Sequence, residues 1–242
     1  MKYILIIGAK SDITKELARI YAANGFCLYL AARKSDELIS FKEEIGNSSV
    51  DIQLLELDVT CFDLHQEFYK ILDPKPAGVI FVAGILFSQV EYDNNWDKII
   101  KTINTNYVGA LSILNIIAAD FEKRKDGFII GIGSVAGDRG RRSNYIYGST
   151  KAAFASYLSG LRSRMHKSNV HVMTVKPGFV KTKMTKHMTF PNFLSMQPRR
   201  IAEIIYKAQQ NKKDVVYAGS RWKFIMFIIK LIPETIFKRI NL

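Results

Sequence analysis

The sequence predicts an α/β fold, a doubly wound parallel sheet of about seven strands with helices on both faces. Three observations carry this expectation. Short apolar runs alternate with longer amphipathic stretches along the chain. The runs are continuously rich in Val, Ile and Leu, as in strands buried on both faces. The first run also leads through Gly8 directly into a helical stretch, as in a βαβ unit.

The elements follow in order. The opening MKYILIIGAK holds only a short apolar run before Gly8 and has no cleavage-site pattern behind it, so Tyr3–Ile7 reads as a strand rather than a leader. Further strands are expected at Phe26–Ala31, Ile52–Leu57, Gly78–Val82, Gly127–Ile132, Val170–Val175 and Asp214–Tyr217. Helices fall between them at roughly 13–24, 36–45, 63–72, 94–124, 148–167 and 198–211. The long apolar stretch 77–90 is broken by Gly84 and falls short of the about 20 residues that span a bilayer, so it reads as a buried strand entering a loop. No repeat or low-complexity linker intervenes. Residues 1–220 are expected to form one domain, followed by a distinct apolar and basic tail at 221–242.

Composition narrows the function. The chain has 242 residues, 48% of them apolar and 24% charged, which excludes the disordered class. Cys27 and Cys61 cannot build a disulfide framework, and no Cys/His pair has zinc-ligand spacing, so no metal is expected. The net charge of +13 is uneven. Residues 1–138 carry 14 Lys and Arg against 19 Asp and Glu, whereas residues 139–242 carry 21 against 3. That imbalance suits an anionic partner on the C-terminal side, whether nucleic acid, an acidic carrier protein or anionic lipid. Nucleic acid ranks lowest, because neither aromatic–basic interleaving nor a helix-turn-helix pattern accompanies the charge.

The first turn, Gly8-Ala9-Lys10-Ser11-Asp12-Ile13-Thr14, lies where a dinucleotide's pyrophosphate meets backbone N–H groups. With one glycine it also fits an ordinary strand–turn–helix capped by Ser11 or Asp12. At the end of the second strand an acid would accept from the ribose hydroxyls of NAD, whereas a base pairs with the 2′-phosphate of NADP. Arg33 stands there, with Lys34 and Lys10 nearby, and favours NADP(H) over NAD(H). A solvated surface arginine is the alternative. Tyr147 and Lys151 are four residues apart and share one helix face, about 6 Å apart at Cβ. A nearby ammonium is expected to pull a tyrosine down from its usual pKa of about 10 into a useful acid–base range. Ser134, after the fifth strand, could hold a substrate oxygen beside the tyrosine.

These features together resemble the short-chain dehydrogenase/reductase family over most of the chain. Its landmarks occur in order: the Gly8 turn, Asp58-Val59, Val82-Ala83-Gly84, Asn106, Ser134, Tyr147, Lys151 and the Pro177–Thr182 stretch. The resemblance implies a Rossmann-type fold with Tyr147 as general acid–base and Ser134 holding the substrate oxygen. Lys151 would hold the nicotinamide ribose and tune Tyr147, with Asn106 supporting a water link to Lys151. It places the cofactor against Gly8, Lys10, Ser11, Asp12, Ile13 and Arg33, with Asp58 and Val59 flanking the adenine. Ala83 and Gly84 would pack along it, and Pro177, Gly178, Val180 and Thr182 would embrace the nicotinamide end.

The family's Gly-x-x-x-Gly-x-Gly here reads Gly8-x-x-x-Asp12-x-Thr14, and its Asn-Asn-Ala-Gly is reduced to Phe81-Val82-Ala83-Gly84. Asp12 beside a pyrophosphate is awkward unless its side chain turns back to cap the helix, and Thr14 implies a looser helix–strand contact. The resemblance also implies a homodimer or homotetramer paired through the helices at 94–124 and 148–167, the latter offering Ala152, Ala153, Phe154, Tyr157, Leu158 and Leu161.

Three further features bear on substrate. Tyr145 lacks a lysine four residues on and reads as a substrate-loop or packing residue. Arg139, Arg141 and Arg142 crowd the loop before Tyr147, either solvated or meeting an anionic substrate group. Residues 222–232, WKFIMFIIKLI, would span ~17 Å as a helix, too short for ~30 Å of hydrocarbon. With Lys238 and Arg239 beyond it, this tail fits an interfacial helix, against the alternative of packing on the substrate loop or across a dimer interface. Lys181, Lys183 and Lys186 add charge to a loop that closes over substrate in this family. The tail, the arginine cluster and the Asp12 turn resemble the decaprenylphosphoryl-2-keto-ribose reductase branch. The expected function is therefore NADPH-dependent reduction of a keto group, on a lipid-linked keto-sugar at the inner face of the cytoplasmic membrane. The alternatives are a cytoplasmic 3-oxoacyl thioester reductase or another soluble carbonyl reductase, and a non-catalytic nucleotide sensor.

Overall fold

The computed structural model describes residues 1–46, 49–186 and 191–240, with Ser220 described by its backbone alone. Seven parallel strands form the main sheet: β1 (Tyr3–Ile7), β2 (Cys27–Ala32), β3 (Ile52–Glu56), β4 (Gly78–Phe81), β5 (Phe128–Ile132), β6 (His171–Pro177) and, at its far edge, β9 (Val215–Ala218). The small parallel pair β7 (Phe179–Val180) and β8 (Ser195–Met196) lies between the last two in sequence. Across the main sheet the order is β3-β2-β1-β4-β5-β6-β9. Strand order reverses between β1 and β4, and a crevice opens there beyond the carboxyl ends of the strands.

The alternation of side chains along each strand builds two cores. Leu5 and Ile7 of β1 join Val79, Ile113, Phe121, Phe154 and Leu158 on one face. Ile4 and Ile6 join Leu17, Tyr21, Ile130, Ile201 and Ile205 on the other. The first face is covered by α3 (His65–Lys70), α6 (Gly109–Arg124) and α7 (Tyr145–Met165). The second is covered by α1 (Asp12–Ala23), α2 (Ile39–Ile45) and α8 (Pro198–Gln210). Phe154, Leu158 and Leu161, expected on a pairing surface, are instead buried in their own subunit's core.

The single helix expected at 94–124 is interrupted. Behind the short α4 (Gln89–Asp93), α5 (Trp96–Ile103) passes through one π-helical turn at Asn104–Val108 before α6 begins. Such a turn inserts a residue and redirects side chains, often at functional sites. Here Asn106 becomes fully buried, and Val59 crosses so close that a Cβ on Gly109 would lie 2.2 Å from its carbonyl oxygen.

The tail also differs from a purely interfacial helix. In α9 (Ser220–Leu231), Trp222 and Met226 are buried with Val135, against which Phe179, Leu194 and Tyr217 pack. Gly178 makes room for the indole, since a Cβ there would lie 1.9 Å from Trp222 Nε1, which donates to the Leu194 carbonyl at 3.0 Å. The short α10 (Glu234–Phe237) follows, with Arg139 paired to Glu234 at 2.6 Å and stacked on Phe237. The opposite face of α9 stays apolar and open: Phe224, Phe227 and Leu231 are more than 60% exposed. Among the described residues, no helix is long and apolar enough to cross a membrane.

Candidate active site

A cavity of about 650 Å³ occupies the crevice at the strand-order reversal. Every residue expected to hold a cofactor lies on its wall: Gly8 and Lys10 to Ile13, Arg33, Asp58 and Val59, Ala83 and Gly84, and Pro177, Gly178, Val180 and Thr182. Ser134, Tyr147 and Lys151 line it too.

The Gly8 turn works with one glycine because the conformational demand falls on that residue. Gly8 has φ +91°, and a Cβ there would lie 2.6 Å from the Ala83 nitrogen, so the close approach of β1 and β4 requires its absence. Thr14 does not loosen the helix–strand contact. It is fully buried, and its hydroxyl donates to the carbonyls of Gly8 at 2.9 Å and Ser11 at 2.8 Å, tying the turn to α1. Asp12 does not cap its own helix either. Its carboxylate accepts from the Lys183 backbone N–H at 2.8 Å, clasping the loop after β7 to the first turn.

At the end of β2, Arg33 is half exposed and its guanidinium lies 3.8 Å from the Asp58 carboxylate. Burial pushes that carboxyl up, but the Thr60 N–H and hydroxyl, with Arg33, outweigh it and hold Asp58 below its ordinary value. Lys10 pairs with Glu37 and donates to the Arg33 carbonyl at 3.3 Å. The backbone N–H groups of Lys34 and Ser35 are taken by Glu56 at 2.8 and 2.9 Å. Arg33 and Lys10 thus stand together at the end of β2 on the cavity rim, each paired with a carboxylate.

Ser134 follows β5, and its hydroxyl accepts from the Ala136 N–H at 3.1 Å. Helix α7 begins three residues earlier than the sequence suggests, so Tyr147 stands in its first turn and Lys151 one turn further in. The lysine is 5% exposed, donates to the Ile132 carbonyl at 3.2 Å and lies 5.7 Å from the Tyr147 ring centre. Burial pushes Tyr147 up to about 12 against the pull of its hydrogen bond with Ser134, and pushes Lys151 down to about 8. The expected lowering of the tyrosine is thus reversed: burial dominates, Tyr92 adds to the rise, and only the Ser134 hydrogen bond pulls the other way.

Asn106 stands behind the wall rather than on it. Its amide accepts from Ile85 N–H at 2.7 Å and donates to the Ile85 carbonyl at 2.9 Å and Thr150 at 3.2 Å, bracing the loop after β4 against α7. A Cβ on Gly84 would lie 3.2 Å from the Asn106 oxygen and 3.4 Å from Lys151 Nζ. Tyr145 is exposed and donates to Asp93 at 2.9 Å, a packing role.

Sequence reasoning missed Asn144 and the Ile85–Gln89 loop on the cavity wall. An N-cap residue type just before a helix would have pointed to Asn144, had that helix been started earlier.

The sequence profile of the short chain dehydrogenases matches residues 2–190. The chain belongs to the short-chain dehydrogenase/reductase family. Its sequence is 32% identical over 240 residues to a Mycobacterium tuberculosis protein named an uncharacterised oxidoreductase, covering 98% of this chain and 96% of that one. A similarly named oxidoreductase of Myxococcus xanthus is 29% identical over 206 residues, covering 84% and 81%. In fold, the chain superposes on a short-chain dehydrogenase from Sphingobium yanoikuyae, solved in complex with NADPH, with a TM-score of 0.83, 22% identity and 97% coverage of both chains. A Burkholderia cenocepacia short-chain dehydrogenase in complex with NADP gives 0.83 at 19% identity, covering 99% of each. This family member is accordingly an NAD(P)-dependent oxidoreductase.

Proposed function

We propose that the protein is an NADP(H)-dependent reductase that converts a keto group to an alcohol, with Tyr147 as the proton donor. The carrying observation is that Ser134, Tyr147 and Lys151 share one cavity with the Gly8 turn. The residues present fit a dinucleotide: Gly8 leaves the cradle that a Cβ would fill, and Arg33 and Lys10 suit a 2′-phosphate better than bare ribose. When bound, the nicotinamide supplies the hydride. Ser134 orients the substrate oxygen and Tyr147 gives it a proton. At neutral pH Tyr147 holds its proton, as a proton donor must. Lys151 contributes charge next to the tyrosine and a donor toward the cavity. Asn106 acts indirectly, by fixing the Ile85 loop and Thr150, and a water link from it to Lys151 belongs to this reading.

A lipid-linked keto-sugar is the substrate class we favour over a 3-oxoacyl thioester on an acidic carrier. Both suit the basic C-terminal half, but the exposed Phe224, Phe227 and Leu231 beside Lys223 and Lys230 suit a membrane surface. In this reading residues 221–242 are a peripheral membrane element attached to the 1–220 domain, acting at the inner face of the cytoplasmic membrane. The last two tail residues lie outside the described residues. Exposed Trp96 and Ile100 on α5 support pairing with a second copy.

The test is NADPH oxidation by the full chain against a panel of keto-sugars and 3-oxoacyl thioesters, beside Tyr147→Phe. We expect the variant to lose at least about a hundredfold in kcat while binding NADPH with unchanged affinity. A variant that turns over at the parent rate removes Tyr147 from the mechanism.

A further inference from the structure

Among the described residues, five buried side-chain polar atoms have no hydrogen-bond partner, and two of them flank the proton donor: Arg141 Nε and Asn144 Oδ1. Both residues line the active-site cavity, six and three positions before Tyr147. Unpaired buried polar groups are rare and costly, so two in one wall call for a physical reason.

Arg141 is the stronger anomaly. Its guanidinium is pushed below its ordinary pKa by burial, with only the more distant field of Asp138 opposing. The carboxylates of this corner are already engaged: Asp138 holds Lys176 and accepts from Tyr217 at 2.6 Å, while Glu234 holds Arg139. What Arg141 does meet is the Met226 sulfur of α9, 3.1 Å from Nη2. A thioether is a weak acceptor for a cation with five donors. Replacing it with an oxyanion would convert a desolvated lone charge into a charge-assisted pair.

Asn144 repeats the pattern with the opposite polarity. It occupies the N-cap position of α7, where asparagine ordinarily accepts from an N–H of the first turn, yet its side chain makes no such bond. Its carbonyl continues the helix by accepting from Gly148 N–H at 2.8 Å, but Oδ1 is left for a donor from elsewhere.

We propose that Arg141 and Asn144 form the substrate-recognition subsite: Arg141 takes an oxyanion and Asn144 accepts from a hydroxyl of the same molecule. The preferred substrate is then a hydroxylated ketone carrying a phosphate or carboxylate, and Met226 is the partner that Arg141 gives up on binding. This rests on the reductase reading above and names its substrate chemistry. Both atoms are shielded from water, so recognition requires the Asn144 amide to turn toward the cavity and the guanidinium to turn off Met226, which couples the tail helix to the bound substrate.

The test uses the full chain saturated with NADPH, which also covers the Arg33 and Lys10 rim. The arginine Nε–H signals are followed by two-dimensional nitrogen–proton NMR, with Arg141 assigned from its loss in Arg141→Lys. Glycerol 3-phosphate, glycerate and glycerol are the titrants. The two anions should shift the Arg141 signal and glycerol should not, and the tighter anion distinguishes phosphate from carboxylate. Arg141→Met should weaken binding of the tighter anion about tenfold to a hundredfold, and Asn144→Leu less. An Arg141 signal unmoved by either anion, or anion affinity unchanged in Arg141→Met, overturns the subsite. Failure to bind NADPH at all would instead sink the reductase reading, so the two failures are separable.

Discussion

Lys151 is 5% exposed between the ends of β5 and α7, a place where a charged ammonium loses most of its hydration. Its pKa falls from 10.5 in the unfolded chain to about 8 in the fold. Between those values the unfolded chain holds a proton that the folded chain has released, so this residue makes stability rise with pH across that window. Tyr147 moves the opposite way, from 10.0 to about 12, and its contribution is lost only as pH climbs above 10. From pH 8 to 10 the lysine therefore acts almost alone. Urea unfolding should show the parent gaining at most about 2 kcal/mol over that interval relative to Lys151→Met. Parallel curves for the two proteins would mean that Lys151 keeps its proton in the fold. The identity of this pair was legible in the sequence, because four-residue spacing on a helix needs no tertiary knowledge. Its charge state was not, because desolvation depends on what β5 and the Ile132 carbonyl place around it. The same holds for Asn144, whose unpaired oxygen exists only because α7 starts where it does.

At the level of elements, strands were easier to read than helix ends. Continuous apolar runs locate β1 to β6 within a residue or two, since strands buried on both faces leave little polar ambiguity. The break between α5 and α6 carries no glycine or proline signal before Gly109. It arises because Asn106 is drawn inward to the Ile85 backbone, a contact between segments 21 residues apart. Likewise Asp12 reads as a local capping residue, yet it binds Lys183 far along the chain. The tail helix α9 is the clearest case of two readings sharing one element: Trp222 and Met226 pack inward while Phe224 and Phe227 face out. Because the larger of its two anchors is seated over Gly178, Trp222→Ala should cost docking about 3–5 kcal/mol. Hydrogen exchange should then show lost protection across α9 with the sheet unchanged. Global unfolding instead would show that α9 is part of the cooperative core.

For the whole molecule, charge and apolar surface coincide. The basic half of the chain, residues 139–242, supplies Arg221, Lys223 and Lys230 on α9 itself and Lys238 and Arg239 just after α10. Each basic residue near an anionic bilayer is worth about 1 kcal/mol, and this attraction is screened by salt. The exposed phenylalanines add apolar insertion that salt does not weaken. The two terms separate in one experiment. Co-sedimentation of the full chain should be strong with anionic vesicles at low salt, weak with neutral vesicles, and reduced as salt rises. Phe224→Ser with Phe227→Ser should weaken binding at least about tenfold at every salt concentration, since two buried aromatic side chains are each worth about 1.5–3 kcal/mol. Binding that is indifferent to these substitutions but abolished by salt would reduce the tail to a charge patch. No binding to either vesicle, together with a dimer that dissociates in the double variant, would assign the open face of α9 to a second copy of the chain.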